Sequence, residues 1–389
     1  MGDSERPAFL AKAVKGIGEI GAGDWDACAG RGNPFVSHAF LAALEESGSA
    51  SVETGWAPHH MVVEDGLGRV QGVAPLYLKS HSQGEYVFDH GWADAFERAG
   101  GRYYPKFQIS VPFSPVTGPR LMTRPGPTAE AARRALIAAC KEVTMHAGVS
   151  SLHVTFTTEE EWRALGAAGF LQRSDRQFHW RNDGYADFEG FLASLASRKR
   201  KAVRRERRRA TASGLTIDII TGNDIKSTHW DAFFACYIAT THGKFGYPYL
   251  NREFFARLGE TMAHKVALIM ASDGGRTVAG ALNLIGADTL YGRNWGCLGD
   301  YPFLHFEVCY YQAIEFAIAR GLKCVEAGAQ GPHKIARGYL PVRTHSAHWI
   351  SHPGLRQAIE DYLNHERDAV DHEIEALADY SPFRKEEGR

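Results

Sequence analysis

Long apolar runs are missing from this chain. Nowhere do eighteen consecutive apolar residues occur, so no segment reads as a membrane-spanning helix. The first twenty residues, MGDSERPAFLAKAVKGIGEI, lack the apolar centre of a secretory signal, and a cytoplasmic location is expected, at most peripheral to a membrane. Cysteines are few and scattered: six (Cys28, Cys140, Cys236, Cys297, Cys309, Cys324) with no Cys-x-x-Cys pair and no Cys/His ligand spacing. That argues for free thiols in a reducing compartment and for no bound metal. Net charge is also missing, the formal value being -1, which excludes a global field for DNA or for an anionic surface. No Ser-His-Asp or Cys-His nucleophile motif can be found.

What remains is an ordinary globular composition, 44% hydrophobic and 23% charged, in 389 residues, too long for one typical core. Two domains are expected, 24–182 and 183–389, of α/β class with mixed sheets. Asn33 to Glu46 reads as a capped helix with Phe40, Leu41 and Leu44 on one side. His59 to Glu64 and Arg69 to Lys79 read as two strands joined by DGLG, and Lys265 to Ala271 and Thr277 to Ile285 as two joined by SDGG. GRVQGVAPLYL and GRTVAGALNLI share their opening letters. A helix, glycine, strand unit follows each, so the second half reads as a repeat of the first.

The richest stretch is Thr289 to Tyr339. TLYGRNWGC and CVEAG read as strands flanking a helix on which Leu304, Val308, Tyr311, Ile314 and Ile318 share a face, with Gly321 as its stop. Strand, helix, strand of this length favours two parallel strands, and ligands sit where such strands diverge. Glu307 reads either as a first-turn carboxylate favoured by the helix dipole or as a general base, and Glu326 either as a base or as the ion-pair partner of Arg293. His305 and His242 complete the candidate bases. Arg293, Asn294, Trp295 and the loop residues His333, Lys334 and Arg337 form a candidate donor site. Tyr103, Tyr104, Lys106 and Ser114, with Lys244, Phe245 and Tyr247 of TTHGKFGYPYL, form a candidate acceptor site, the first group equally readable as core. Gln177 to Asn182 (QFHWRN) reads as the strand that closes the first half, Asp187 to Leu195 as a helix, and Leu355 to Ala378 as a terminal amphipathic helix.

Between the halves, SRKRKAVRRERRRA carries nine Lys or Arg residues between Arg198 and Arg209. It reads either as a phosphate- or RNA-binding helix, through Arg198, Lys199, Arg200, Arg204 and Arg205, or as a solvated face with Ala202, Val203 and Ala210 beneath it.

Taken together, NPF-x-S-x-AFL, GEYVFDHGWADAF, YYPKFQISVPFSPVTGPR, QFHWRN, SRKRKAVRRERR, HGKFGYPYL, YGRNWGC, HFEVCYYQAIEFA and EAGAQGPHKIARGYLP resemble the FemAB-like branch of the GNAT superfamily. The resemblance runs from about Asn33 to Asp371 and is similar to the group that includes some bacterial ceramide synthases. It implies two tandem GNAT-like domains, the first on the acceptor side and the second on the donor side. It also implies an N-acyltransferase moving an acyl group from a thioester such as acyl-CoA, as co-substrate and not as a tightly bound cofactor, to a primary amine, possible long-chain sphingoid bases included. The alternatives are an aminoacyl-tRNA-dependent transferase acting on a peptide or envelope amine, and a non-catalytic envelope-binding scaffold. One departure stands out: LGDYPFLHFE replaces the Gly-rich Q/R-x-x-G-x-G/A loop of ordinary acetyltransferases.

Overall fold

The computed structural model describes residues 9–212, 214–244, 247–328 and 331–384, excepting the side chains of 242–244 and 332. Two compact units emerge: Met1–Asp175 with Thr344–Val370, and Arg176–Arg343 with Asp371–Arg389. The division falls seven residues before the expected 182/183, and Thr344–Val370 belongs with the first unit. The expected mixed α/β class is what the chain adopts.

In the first unit, Leu10–Val14, His60–Glu64, Val70–Ala74 and Met122–Thr123 form one antiparallel sheet. The strand expected over Arg69 to Lys79 is two, Val70–Ala74 and Leu76–Lys79, because Pro75 has no N–H to continue a ladder. Leu76–Lys79 pairs instead with Trp56–Pro58 and Lys106–Ile109, and the last of these runs parallel to Ser151–Thr157. The Ala129–His146 helix makes the crossover; Leu136, Ile137, Ala139 and Cys140 pack it onto Met61, Val63, Leu152 and Val154. Ser37 caps the His38–Glu46 helix by accepting from the Phe40 N–H, and Phe40, Leu41 and Leu44 are buried as their spacing requires.

In the second unit, Thr216–Thr221, Val266–Asp273, Arg276–Ile285 and Thr289–Cys297 form an antiparallel run. Thr289–Cys297 then pairs parallel with Cys324–Glu326, as the strand, helix, strand pattern predicts. QFHWRN does not close the first half: Arg181, Trp180 and His179 pair antiparallel with Cys324–Glu326. The alternation explains it, since Phe178 and Trp180 enter the core made by Val308, Tyr311, Ile314 and Val325.

The crossover helix of this unit is irregular. Leu304–Phe306 is α-helical, Glu307–Tyr311 is π-helical and Gln312–Ala319 is α-helical again. The five residues expected on its inner face are all buried, and Gly321 ends it at φ +64. At the other end Phe303 sits at φ +67, a left-handed conformation costing on the order of 1 kcal/mol for a side chain of this kind. The Ser227–Lys244 helix lies so close to the sheet that a Cβ on Gly296 would meet the Cys236 backbone at 2.1 Å. This helix also claims Thr240 to Lys244, which the sequence places in a loop.

Candidate functional site

Two features of the Thr289–Cys297 strand open a pocket in the second unit. Leu282 pairs with Asn294 but Asn283 pairs with Gly292, so Arg293 is the extra residue of a β-bulge. The parallel pairing with Cys324–Glu326 stops at Tyr291, so the two strands part beyond that point. A pocket of about 90 Å³ lies there, lined by Asn283, Arg293, Asn294, Trp295, His305, Cys309 and Tyr310, among others. A cavity of that size has room for a small polar group.

The π-helical segment supplies one wall. An extra residue in a helical turn shifts its side chains round the axis, and such bulges cluster at functional sites. His305 stands edge-on to Trp295 and Tyr310, at 5.2 Å between ring centroids in both cases. The Tyr310 hydroxyl and His333 Nε2 are 3.0 Å apart. Burial, then the Arg337 and Lys334 charges, hold His333 below its ordinary value. Lys334 is 2% exposed and donates to the Gly328 carbonyl at 2.8 Å. Burial pushes its pKa down to about 8, with the Cys309 thiol opposing and Arg293 reinforcing the shift. The Lys334 ammonium is therefore electrostatically coupled to two residues of the pocket lining.

Asn283 was not among the residues singled out from the sequence. It is 1% exposed; its Nδ2 donates weakly to the Ala267 and Ala281 carbonyls, at 3.3 and 3.5 Å, and its Oδ1 has no hydrogen-bond partner among the described residues. A buried acceptor left unsatisfied costs about 1–3 kcal/mol unless a ligand or water donates to it. The signal in the sequence was a lone asparagine inside the apolar strand GALNLI.

The other expected bases lie elsewhere. Glu307 is 2% exposed and committed to a network: Arg207 reaches it at 2.8 Å and the Gln312 amide donates at 2.8 Å, while Arg207 also bonds Glu315. That uses the carboxylate's lone pairs in holding the π segment to the basic helix, and the residue is absent from the pocket wall. Glu326 faces His179 at 3.9 Å, and burial holds that imidazole down to about 3, so it stays neutral. Arg337 fixes Glu206 at 2.9 Å and lays its guanidinium 3.4 Å over the Phe306 ring. The side chains of His242 and Lys244, and Phe245 altogether, lie outside the described residues; Tyr247 is 86% exposed.

The acceptor residues expected in the first unit form a sealed charge cluster instead. Lys106 is fully buried, bonded to Glu85 at 2.7 Å, to Ser82 at 2.8 Å and to Asp89. Tyr103 donates to Asp89 at 2.7 Å, and Tyr104 and Ser82 hydroxyls meet at 2.8 Å. Lys79, also fully buried, sits 3.7 Å over the Trp56 ring and 3.9 Å from Glu85, and burial lowers its pKa to about 7. Ser114 is buried as well. Lys106 has no solvent-facing atom. The bland reading of these aromatics as core holds for Tyr103; the sequence reading did not pair Lys106 with Glu85 or Asp89, although all of them lie within one short stretch of chain.

Comparison with known proteins gives the following. The FemAB-like family, described as peptidoglycan biosynthesis/recognition, matches residues 16–385. No curated protein matches in sequence. Among solved structures the chain is similar to FemX, with TM-score 0.53 and 13% identity over 88% of this chain and 98% of that one. It is similar to L-PGS from Bacillus licheniformis, with TM-score 0.50 and 10% identity over 86% and 98% of the two chains. A conserved protein of unknown function from Bacteroides thetaiotaomicron gives 0.51 and 11% over 87% and 99%. At these identities the likeness establishes the fold.

Proposed function

Because the chain belongs to the FemAB-like family and carries its fold, we propose that it is a transferase that moves an acyl or aminoacyl group from an activated carrier to a primary amine. The observation that carries this reading is the small pocket at the Arg293 bulge. There an asparagine with an unsatisfied acceptor (Asn283), a guanidinium (Arg293) and an imidazole (His305) line one cavity, with His333 hydrogen-bonded to Tyr310 of its wall and the buried Lys334 next in the chain.

The chemistry follows from those groups. Asn283 Oδ1 accepts one N–H of the entering amine and aims its lone pair at the donor carbonyl. The C–N bond forms as the carbonyl oxygen takes up negative charge, which Arg293 and Lys334 stabilise as cations. His305, or His333 through the Tyr310 hydroxyl, takes the proton released by nitrogen. The same proton passes to the departing sulfur or oxygen of the carrier as the C–S or C–O bond breaks, so the imidazole is returned neutral. No covalent enzyme intermediate enters this sequence.

Within that reading the donor is taken to be an acyl thioester and the acceptor a long-chain amine, on the strength of the motif resemblance. Transfer from an aminoacyl ester of RNA is the second reading, favoured by the density of the basic helix. Purified protein given acyl-CoA of varied chain length and long-chain amines should release free thiol and yield amide by mass spectrometry. Product from aminoacyl-tRNA and an amine, with none from thioesters, selects the second reading. Absence of product in both arms overturns the transferase assignment.

A further inference from the structure

The Ser197–Ala210 helix does not spread its charge evenly. Three of its cations are engaged inside the second unit: Arg204 with Glu189, Arg207 with Glu307 and Glu315, and Arg209 with its guanidinium 5.0 Å over the Phe303 ring. Helical spacing sorts much of the remainder. Arg198, Ala202 and Arg205 recur at four and three residues and share a face, with Lys199 at its edge, whereas Lys201 and Arg208 flank Arg205 on its other side and do not line the cavity beside that face. The first face lines a pocket of about 350 Å³, whose opposite wall is Tyr311, Ala336 and Arg337. That volume lies in the range that holds a small-molecule ligand.

Among the described residues Arg198, Lys199 and Arg205 have no acidic partner. The one carboxylate in the wall, Glu206, is taken by Arg337 at 2.9 Å and by the Tyr311 hydroxyl. Three cations around one cavity repel each other, and an anion with several acceptor oxygens relieves that repulsion while bonding guanidinium groups in pairs. Arg337, fixed by Glu206 and by the His333 carbonyl at 2.7 Å, adds a positive field without being free to move.

We propose that this pocket binds a phosphate group on the carrier of the transferred group. The proposal rests on the transferase reading for the word carrier, and on the pocket itself for the phosphate. The two cavities share one wall element: the Glu307–Tyr311 π segment presents Tyr310 to the transfer pocket and Tyr311 to this one. A carrier anchored by phosphate at Arg198, Lys199 and Arg205 thus borders the same segment as the reacting carbonyl, on the face that carries Tyr311. The arrangement also supplies the anchoring that the missing Gly-rich loop does not.

Calorimetric titration of the full chain with coenzyme A, and separately with a single-stranded RNA hexamer, tests this, with inorganic phosphate as competitor. At least one probe should bind at low salt, be displaced by phosphate, and lose at least tenfold in affinity in the Arg198→Ala/Arg205→Ala variant. The Lys201→Ala/Arg208→Ala variant, equal in charge removed, should stay within twofold. Which probe binds separates a small thiol carrier from a nucleic-acid carrier. Equal weakening by both variants, or no binding of either probe to the unaltered chain, overturns the proposal. Asn283→Ala and Lys334→Gln should leave probe affinity unchanged; their loss of turnover with binding intact, or the reverse, tells failure of the phosphate site from failure of the transferase reading.

Discussion

The two units contain the same device built in opposite ways. In each, a helix crosses between two parallel strands: Ala129–His146 between Lys106–Ile109 and Ser151–Thr157, and Leu304–Ala319 between Thr289–Cys297 and Cys324–Glu326. The first helix is regular for 18 residues, and Lys79, Lys106, Glu85 and Asp89 of that unit are buried together as a charge cluster. The second is broken by a π turn, its first strand carries a bulge, and the strands part to leave cavities beside Arg293 and Arg198. Charge is therefore sealed among partners in one unit and lines cavities in the other. Irregular backbone, more than the presence of ionisable residues, tells them apart.

The sharpest way to break this contrast is to remove a cation from the sealed side. Lys106→Met leaves Glu85 and Asp89 buried without their main partner, a change expected to cost about 3–5 kcal/mol of stability. Chemical denaturation should show it directly, and residual folded protein should keep its transfer rate. A stable Lys106→Met protein with impaired turnover would return Lys106 to the acceptor site.

On the open side the largest effect is expected at Lys334. If its ammonium stabilises the oxyanion, Lys334→Gln should lower kcat by about 10²–10³, the usual cost of one such donor. The pH profile gives the sign. Lys334 is lowered to about 8, so the active, charged form is lost as pH rises through about 8, and the rate should fall there. His333 is lowered below 6.5 and acts as a base when neutral, so its limb rises at acid pH and lies below the lysine limb. Lys334→Arg should shift the alkaline limb upward by well over a unit, because guanidinium stays charged. An unmoved alkaline limb in Lys334→Arg removes this lysine from the mechanism.

How far the sequence showed this contrast depends on whether spacing or distance carried the information. The parallel crossover, the inner face of its helix, the Gly321 stop and the Ser37 cap follow from local spacing, and each is where the pattern puts it. Arg293, Asn294, Trp295 and His305 were legible for the same reason, lying on one strand and the turn that follows. The strand break at Pro75 was visible as a proline but was overruled by the apolar run around it. Partners more than about 80 residues apart were not legible. Nothing local ties Arg207 to Glu307, or QFHWRN to Cys324–Glu326, because long-range pairing is decided by which face the core accepts. The π turn has no local signature either, since HFEVCYYQAIEF satisfies an ordinary helical period.

Glu307 offers a test of intermediate size. It is held by Arg207 and Gln312, and Glu307→Gln should cost about 1–3 kcal/mol by weakening a charged hydrogen-bond network. Turnover of the folded fraction should fall no more than a few fold. A loss of three orders of magnitude with normal stability would make Glu307 the base and place catalysis behind the π segment.

The smallest effect is expected at Asn283, where the two units' contrast becomes a matter of one unsatisfied atom. The sealed unit also holds acceptors with no hydrogen bond among the described residues, Glu85 Oε1 and Asp89 Oδ1, but these lie within a compensated ion cluster. Asn283, by contrast, is a lining residue of the cavity at the Arg293 bulge, and its Oδ1 has no hydrogen-bond partner among the described residues. Asn283→Ala removes that acceptor and should raise the KM for the amine about tenfold, about 1.4 kcal/mol, with the KM for the donor unchanged. Asn283→Asp should restore much of the amine affinity, because a carboxylate accepts from an ammonium or amine at the same place. Equal shifts in both KM values, or no rescue by aspartate, would reduce Asn283 to a packing residue of the bulged strand.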